Sequence, residues 1–239
     1  MRFSSNLNII VKALDSAAEF ILRDYNELQY IQNSLSSRIK FANSSYKRLK
    51  SLIVKDLSNI RSDYDIYFTD NENHLTNKNS GYFYHICPID SIENYSRGNS
   101  DFAMAISLCY GKSYEDSKPI SVAIKKLISS DIIYCDVDMG VFYNKRRVSD
   151  NYKLGDNLLI NDGININNNN FKIDYRYNGS LLSGLIYVAI NNIDAIRINH
   201  NIYKLIKNYI LINQQSGNVI IDKNDHKIIC NKAISKLII

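Results

Sequence analysis

Residues 101–108 read DFAMAISL, and this stretch limits the possible folds more than any other. Phe102, Met104 and Ile106 alternate with Ala103, Ala105 and Ser107, a period of two that belongs to a strand, where successive side chains leave opposite faces. No charge interrupts the run on either face. A strand with one wet face alternates apolar with polar residues, so this one is expected inside a sheet covered on both sides, large residues toward one layer and small ones toward the other.

The flanking sequence supplies the layers. Ile10, Leu14, Ala17, Ile21, Tyr25 and Leu28 recur at helical spacing behind the capping candidates Ser4, Ser5 and Asn6. A second helix is predicted from Asn43–Ser45, with Leu49, Leu52, Ile53, Leu57 and Ile60 on one side. Strands are predicted at 64–68, 82–86, 101–108, 119–124 and 131–137, all rich in β-branched and aromatic residues. The Asn-rich run 164–170 reads as a loop. Helices come next over 179–191, opened by Gly179 and Ser180, and over 201–217, closed by Gly217, then strands at 218–222 and 227–230 and a last short helix. Helices and strands arranged in blocks predict stacked α and β layers, an α/β (α+β) fold, in place of a bundle or a sandwich of two sheets.

Charge and cysteine usage narrow the function classes. The net charge of +5 is spread along the 239 residues without a basic block, so nucleic-acid binding is not signalled. Cys87, Cys109, Cys135 and Cys230 stand singly in apolar surroundings, with no C-x-x-C pair to begin a zinc site, and read as reduced, buried thiols. The apolar runs are shorter than a membrane span, and MRFSSNLNIIVKALD lacks the core and cleavage site of a signal peptide, so a cytoplasmic protein away from the membrane is expected. His74, His85, His200 and His226 form no i, i+4 pair and no triad with a nucleophile.

CPIDSIENY, residues 87–95, resembles the D-P-I/L-D-G-T-x-N-F signature of the inositol monophosphatase family. Further landmarks of that family come in order along the chain. CDVDMGVFYNKRRVS (135–149) is similar to its A-x-x-G-x-G-A-x-x-N-G hairpin and keeps Gly140 and Asn144. RYNGSLLSGLIYVAINNIDA (176–195) keeps Arg176, Gly179, Ser180, Val188, Ala189, Asp194 and Ala195 of R-x-x-G-S-A-A-L-x-L-x-x-V-A-x-G-R-x-D-A. YKLIKNYILINQQSGNVIID (203–222) resembles the W-D-x-A-A-G-x-L-I-V-x-E-A-G-G-x-V-x-D segment, keeping Gly217, Val219 and Asp222.

The resemblance implies a single domain over 1–239 with an α-β-α-β-α sandwich, residues 1–125 carrying the metal-site motifs and 126–239 forming a C-terminal α/β part. It also implies a homodimer and Mg²⁺-dependent hydrolysis of phosphomonoesters, in which hard cations bind phosphate and lower the pKa of a water. The carboxylates that hold those cations are mostly replaced here. Asn43 stands at one acid position, Thr69 and Asp70 at G-E-E, Cys87 and Asp90 at the two acids of D-P-I-D, Ser91 and Ile92 at G-T, and Tyr203 and Lys204 at W-D. Asp90 is kept and Asp70 is a candidate, both as vestigial metal ligands; Asp90 also reads as a capping and turn acid, the reading its missing partners favour, and no catalytic residue is assigned.

A thiol is a poor ligand for Mg²⁺, and a lysine repels it, so no resident cofactor is expected, or Mg²⁺ if the family activity is retained. Two function classes remain open at this point. One is a non-catalytic family member acting through protein contacts, because bacterial members of the family include a regulator that works with transcription elongation factors on ribosomal RNA synthesis. The other is a residual phosphomonoesterase acting on inositol phosphate or related sugar or nucleotide phosphates. Lys204, with the helix start at Gly179 and Ser180 and with Ser91, is a candidate site for a small anion such as phosphate, bound without metal; the alternative is a Lys204 that extends into solvent from the helix surface.

Overall fold

The computed structural model describes residues 4–31, 34–76, 80–137, 139–149, 152, 155–161, 164–166, 171–177 and 179–238. Helix α1 spans Ser5–Tyr30, and the Ser4 side chain accepts a hydrogen bond from the Leu7 amide at 3.1 Å, capping it as the sequence predicts. Helix α2 spans Leu35–Ile60 and corrects the expected start at Asn43–Ser45. Ser34 is its cap, accepting from the Ser37 amide at 3.2 Å. Ser45 lies in mid-helix because its hydroxyl has a tertiary partner: it donates at 2.5 Å to the carboxylate of Asp24, which is buried on α1. Arg48 donates to the same carboxylate at 2.6 Å and fastens the two helices together.

Strand β1 (Asp65–Phe68) lies parallel to β2 (Tyr82–Cys87), and the short helix α3 (Ile92–Arg97) comes after it. β3 (Ala103–Tyr110), β4 (Lys118–Lys126), β5 (Ile132–Asp136), β6 (Gly140–Tyr143) and β7 (Arg146–Arg147) then complete a seven-stranded sheet in sequence order, antiparallel after β2. The boundary expected at 125/126 falls at the end of β4, inside this sheet.

A second sheet is built from β8 (Asn157–Asn161), β9 (Lys172–Arg176), β10 (Ala195–Asn199), β11 (Val219–Asp222) and β12 (His226–Cys230), in the order β11-β12-β10-β8-β9. The sequence pattern does not predict β8, β9 or β10. Helix α4 spans Leu181–Ala189. The single helix expected over 201–217 is three pieces: α5 (His200–Ile206), a 3₁₀ turn (Lys207–Ile210) and α6 (Leu211–Gln215). Within the 3₁₀ turn Asn208, Tyr209 and Ile210 are all buried, more than one face of an α-helix could seat in the same layer. Residues 232–237 run as turns where a last short helix was expected.

The alternation in β3 sorts the core as predicted. Phe102, Met104 and Ile106 join the cluster formed with α1 and α2, including Leu14, Ile21, Leu49 and Ile53. Ala103 and Ala105 face the other cluster, with Leu182, Leu185 and Ile186 of α4, Tyr209 and Ile212, and Ile196 and Ile229 of the second sheet. Small residues on that face let α4 and the 3₁₀ turn approach the sheet, while each large side chain buried on the opposite face contributes roughly 1.5–3 kcal/mol. A third cluster lies around Leu158, Ile160, Ala195 and Cys230 with Ile164 and Ile234. Among the described residues no helix is long and apolar enough to cross a membrane.

Candidate functional site

The C-terminal ends of β1 and β2 carry the residues in question. The parallel register sets Phe68 beside Ile86, and the Thr69 amide donates to the Ile86 carbonyl at 3.0 Å. Thr69 follows Phe68 as Cys87 follows Ile86, so the register brings Thr69 beside Cys87, its side chain placed to favour the thiolate. Cys87 is buried. Burial pushes its thiol up, the nearby carboxylate of Asp90 adds to this, and the Thr69 side chain only partly opposes it, which keeps sulfur protonated.

Asp70 turns toward α2. Lys50 donates to both of its carboxylate oxygens, at 2.9 and 2.8 Å, and to Glu72 at 2.8 Å. Tyr46, one helical turn before Lys50, donates its phenol to Asp70 at 2.9 Å, and the Glu72 amide donates at 3.1 Å. Lys50 is only 8% exposed, and its ammonium lies 4.3 Å from the centroid of the Phe68 ring. Burial pushes the Asp70 carboxyl up, but the bonds from Lys50, the Glu72 amide and Tyr46 outweigh it and hold the group below its usual range.

Asp90 occupies the turn between β2 and α3 and reaches across to α4. One carboxylate oxygen accepts the Ala103 amide at 2.9 Å; the other accepts the Ser180 hydroxyl at 2.8 Å and the Leu182 amide at 2.7 Å. Burial nevertheless pushes this carboxyl up to about 6, the three donors opposing the rise only in part. Ser180 is the cap of α4, its hydroxyl accepting from the Ser183 amide at 3.1 Å. Gly179 adopts φ +73°, and a Cβ there would stand 3.1 Å from the Asn94 side chain, so glycine suits both the backbone and the contact. Ser91 caps α3, accepting from the Asn94 amide at 3.4 Å.

Asp90 and Ser180 are therefore hydrogen-bonded directly, while Ser91 and Gly179, their neighbours in sequence, both lie against Asn94. Asp70 belongs to a separate group with α2. Lys204 sits in the last turn of the seven-residue α5, a correction to its expected place in the first turn of a long helix. Its side chain is exposed, and its carbonyl accepts the Tyr114 hydroxyl at 2.6 Å. The start of α4, assigned from sequence to a small anion, already holds the Asp90 carboxylate, and an anion bound there would have to displace it.

No motif in the sequence marks Lys50, Glu72, Tyr46 or Tyr209. Tyr209 is wholly buried and stacks on His85 with ring centroids 4.9 Å apart, while Tyr114 packs on the same imidazole at 4.8 Å. Burial, with Lys207 adding to it, pushes the His85 imidazole down to about 3, so the ring is neutral near pH 7. A cleft of about 320 Å³ opens beside these rings, lined by Thr69, Asn71, His85, Lys112, Tyr114 and Leu205 among others, with Asp90 and Ser180 outside it. The i, i+4 spacing of Tyr46 and Lys50 was the only sequence signal for the α2 group, and that spacing is too common to identify a site.

The residues present do not fit the divalent cations that the family resemblance implies. Mg²⁺ requires hard oxygen ligands with free lone pairs arranged octahedrally. Here a protonated thiol and a threonine stand side by side, Asp90 already accepts three donors, and the oxygens of Asp70 are taken by an ammonium. Among the described residues no group of three or more His, Cys, Asp and Glu side chains is arranged to hold a metal.

No family model matches the sequence. Curated relatives do: the Nus factor SuhB of Xylella fastidiosa is 27% identical over 142 residues, and an inositol-1-monophosphatase of Rhizobium meliloti 21% over 148. These alignments cover 59% and 62% of this chain but only 49% and 53% of the relatives, so the chain spans about half the length of the curated relatives it matches. Among solved structures, the extragenic suppressor protein suhB of Bartonella henselae superposes with a TM-score of 0.75 at 20% identity, covering 97% of this chain and 95% of that one. Inositol monophosphatase II of Staphylococcus aureus gives 0.73 at 12% identity, covering 97% and 90%. By architecture over nearly all of its length, and by sequence over about three fifths of it, the chain resembles the inositol monophosphatase family, SuhB proteins included.

Proposed function

We propose that this protein is a non-catalytic relative of the inositol monophosphatases that acts through protein contacts, as a cytoplasmic partner of the transcription machinery. The observation that carries the reading is the engagement of Asp90. The one acid securely kept from the metal motif spends its oxygens on Ala103, Ser180 and Leu182, which makes it a clamp between β3 and α4. Other motif residues that are kept have similar structural work. Asn144 accepts the Ile132 amide at 2.9 Å and donates to Asp131 at 2.8 Å, and Asp194 accepts the Leu159 amide at 2.7 Å, tying β8 beside β10. The motif residues that are kept thus support the fold. The transcription partner rests on likeness to the protein named Nus factor SuhB.

A second reading, Mg²⁺-dependent hydrolysis of inositol phosphate or of related sugar or nucleotide phosphates, is favoured by the relatives named inositol-1-monophosphatase. One pair of measurements separates the two. Purified protein is expected to release no phosphate above the blank from a phosphomonoester panel in millimolar Mg²⁺, and to be retained by RNA polymerase carrying its elongation factors. Mg²⁺-dependent release that disappears in Asp90→Asn would establish the second reading in place of the first.

A further inference from the structure

We propose that Lys50 is a tethered cation: its ammonium has taken over, at the Asp70–Glu72 end of the first sheet, the charge neutralisation that a bound divalent ion would otherwise give to these acids. The inference rests on the reading of the site as one that does not take metal, and it names what stands in the metal's place. Three carboxylate oxygens, two from Asp70 and one from Glu72, lie 2.8–2.9 Å from Lys50 Nζ, matching the three donors of an ammonium. The charge is withdrawn from water, at 8% exposure, and rests over the Phe68 ring at 4.3 Å. Tyr46 completes the shell of Asp70 from the same face of α2.

The arrangement joins α2 to the turn after β1, next to Thr69 and Cys87. Asp70 and Glu72 repel each other at this strand end, in part screened by water because their side chains are 32% and 72% exposed, and a cation between them removes what remains. A diffusible ion meets that need only while it is bound, whereas an ammonium on α2 meets it at all times. The end of the sheet is therefore held in a fixed shape without any dependence on metal concentration, which suits a surface read by a protein partner.

The test is thermal denaturation of the full chain in chelator and in 10 mM MgCl₂, with ionic strength matched. Wild type is expected to melt at the same temperature in both. Lys50→Met leaves Asp70 and Glu72 without their cation and should lower the melting temperature in chelator by about 2–5 °C. Part of that loss should return in Mg²⁺, and Lys50→Met/Asp70→Asn should show no such return. Lys50→Arg, which keeps the charge, should stay insensitive to Mg²⁺ and provides the readout if Lys50→Met does not fold. Wild-type stabilisation by Mg²⁺ that is lost in Asp70→Asn would overturn the proposal. So would a Lys50→Met protein that melts like wild type or gains nothing from Mg²⁺, or a Lys50→Arg protein that acquires a Mg²⁺ response. Phosphate release by the wild type would sink the proposed function without moving these curves, so the two failures are distinguishable.

Discussion

At the scale of single residues, Asp90 shows how much one buried carboxylate can hold together. Its carboxylate joins β3 to α4 through three donors. Asp90→Asn replaces one acceptor oxygen with an NH₂ that must face an N–H or O–H, and urea denaturation is expected to show a loss of about 1–3 kcal/mol. The pH dependence has a defined sign. A folded-state pKa raised from 3.8 to about 6 means the native protein holds a proton that the unfolded chain releases. The stability from this group is therefore fully present below about 4 and is lost as the pH rises through about 6. The Asn variant should lack that decline, so its deficit relative to wild type should narrow between pH 4 and pH 7. A deficit that widened over the same range would contradict the assignment. Asp90 was legible in the sequence as a candidate turn acid or ligand; its partners Ser180 and Leu182 lie 90 and 92 positions away, and spacing along the chain gave no sign of that link.

At the scale of elements, β3 was readable from its own residues because a strand buried on both faces must show its two environments as alternating side-chain size. Ala105 points into the layer of α4, α6 and the 3₁₀ turn and is fully buried. Ala105→Leu is expected to cost about 1–3 kcal/mol in chemical denaturation, because the added carbons must push α4 or Tyr209 off the sheet. A variant as stable as wild type would show that the interlayer contact is looser than described. The start of α2 differs from its expected place for a local reason: Asn43-Ser44-Ser45 has the composition of a cap, and only the contact with Asp24 on α1 explains Ser45 within a helix. The division of 200–215 into α5, a 3₁₀ turn and α6 likewise has no punctuating Gly or Pro, and its 3₁₀ turn is where Tyr209 packs against His85.

At the scale of the whole molecule, the two sheets and the helices between and beside them have the layered plan of the inositol monophosphatase and SuhB structures. The family resemblance implies a homodimer, and the chain has 18 tyrosines, a residue type enriched in interface cores. Tyr175 and Tyr177, at and just beyond β9 on the edge of the second sheet, are 50% and 71% exposed. Light scattering at micromolar concentration is expected to give twice the 27.5 kDa chain mass, and a monomer mass would remove the dimer.

The amino-acid sequence was enough to indicate a layered α/β fold and, through the family resemblance, to say which residues stand at the positions of the metal motif. Both are local: size alternation in β3, helical periodicity in α1, and the identities of Cys87, Thr69 and Lys204 are properties of short segments. Tertiary structure alone decided what the surviving acids do. A carboxylate is a metal ligand, a helix cap or an ion-pair partner according to what lies within about 3 Å of it. For Asp70 that neighbour is Lys50, 20 positions earlier on another element, and for Asp90 it is the start of α4. Residue order dictates which groups exist, whereas hydrogen bonding and charge act through distance in space, and only the packed layers set those distances.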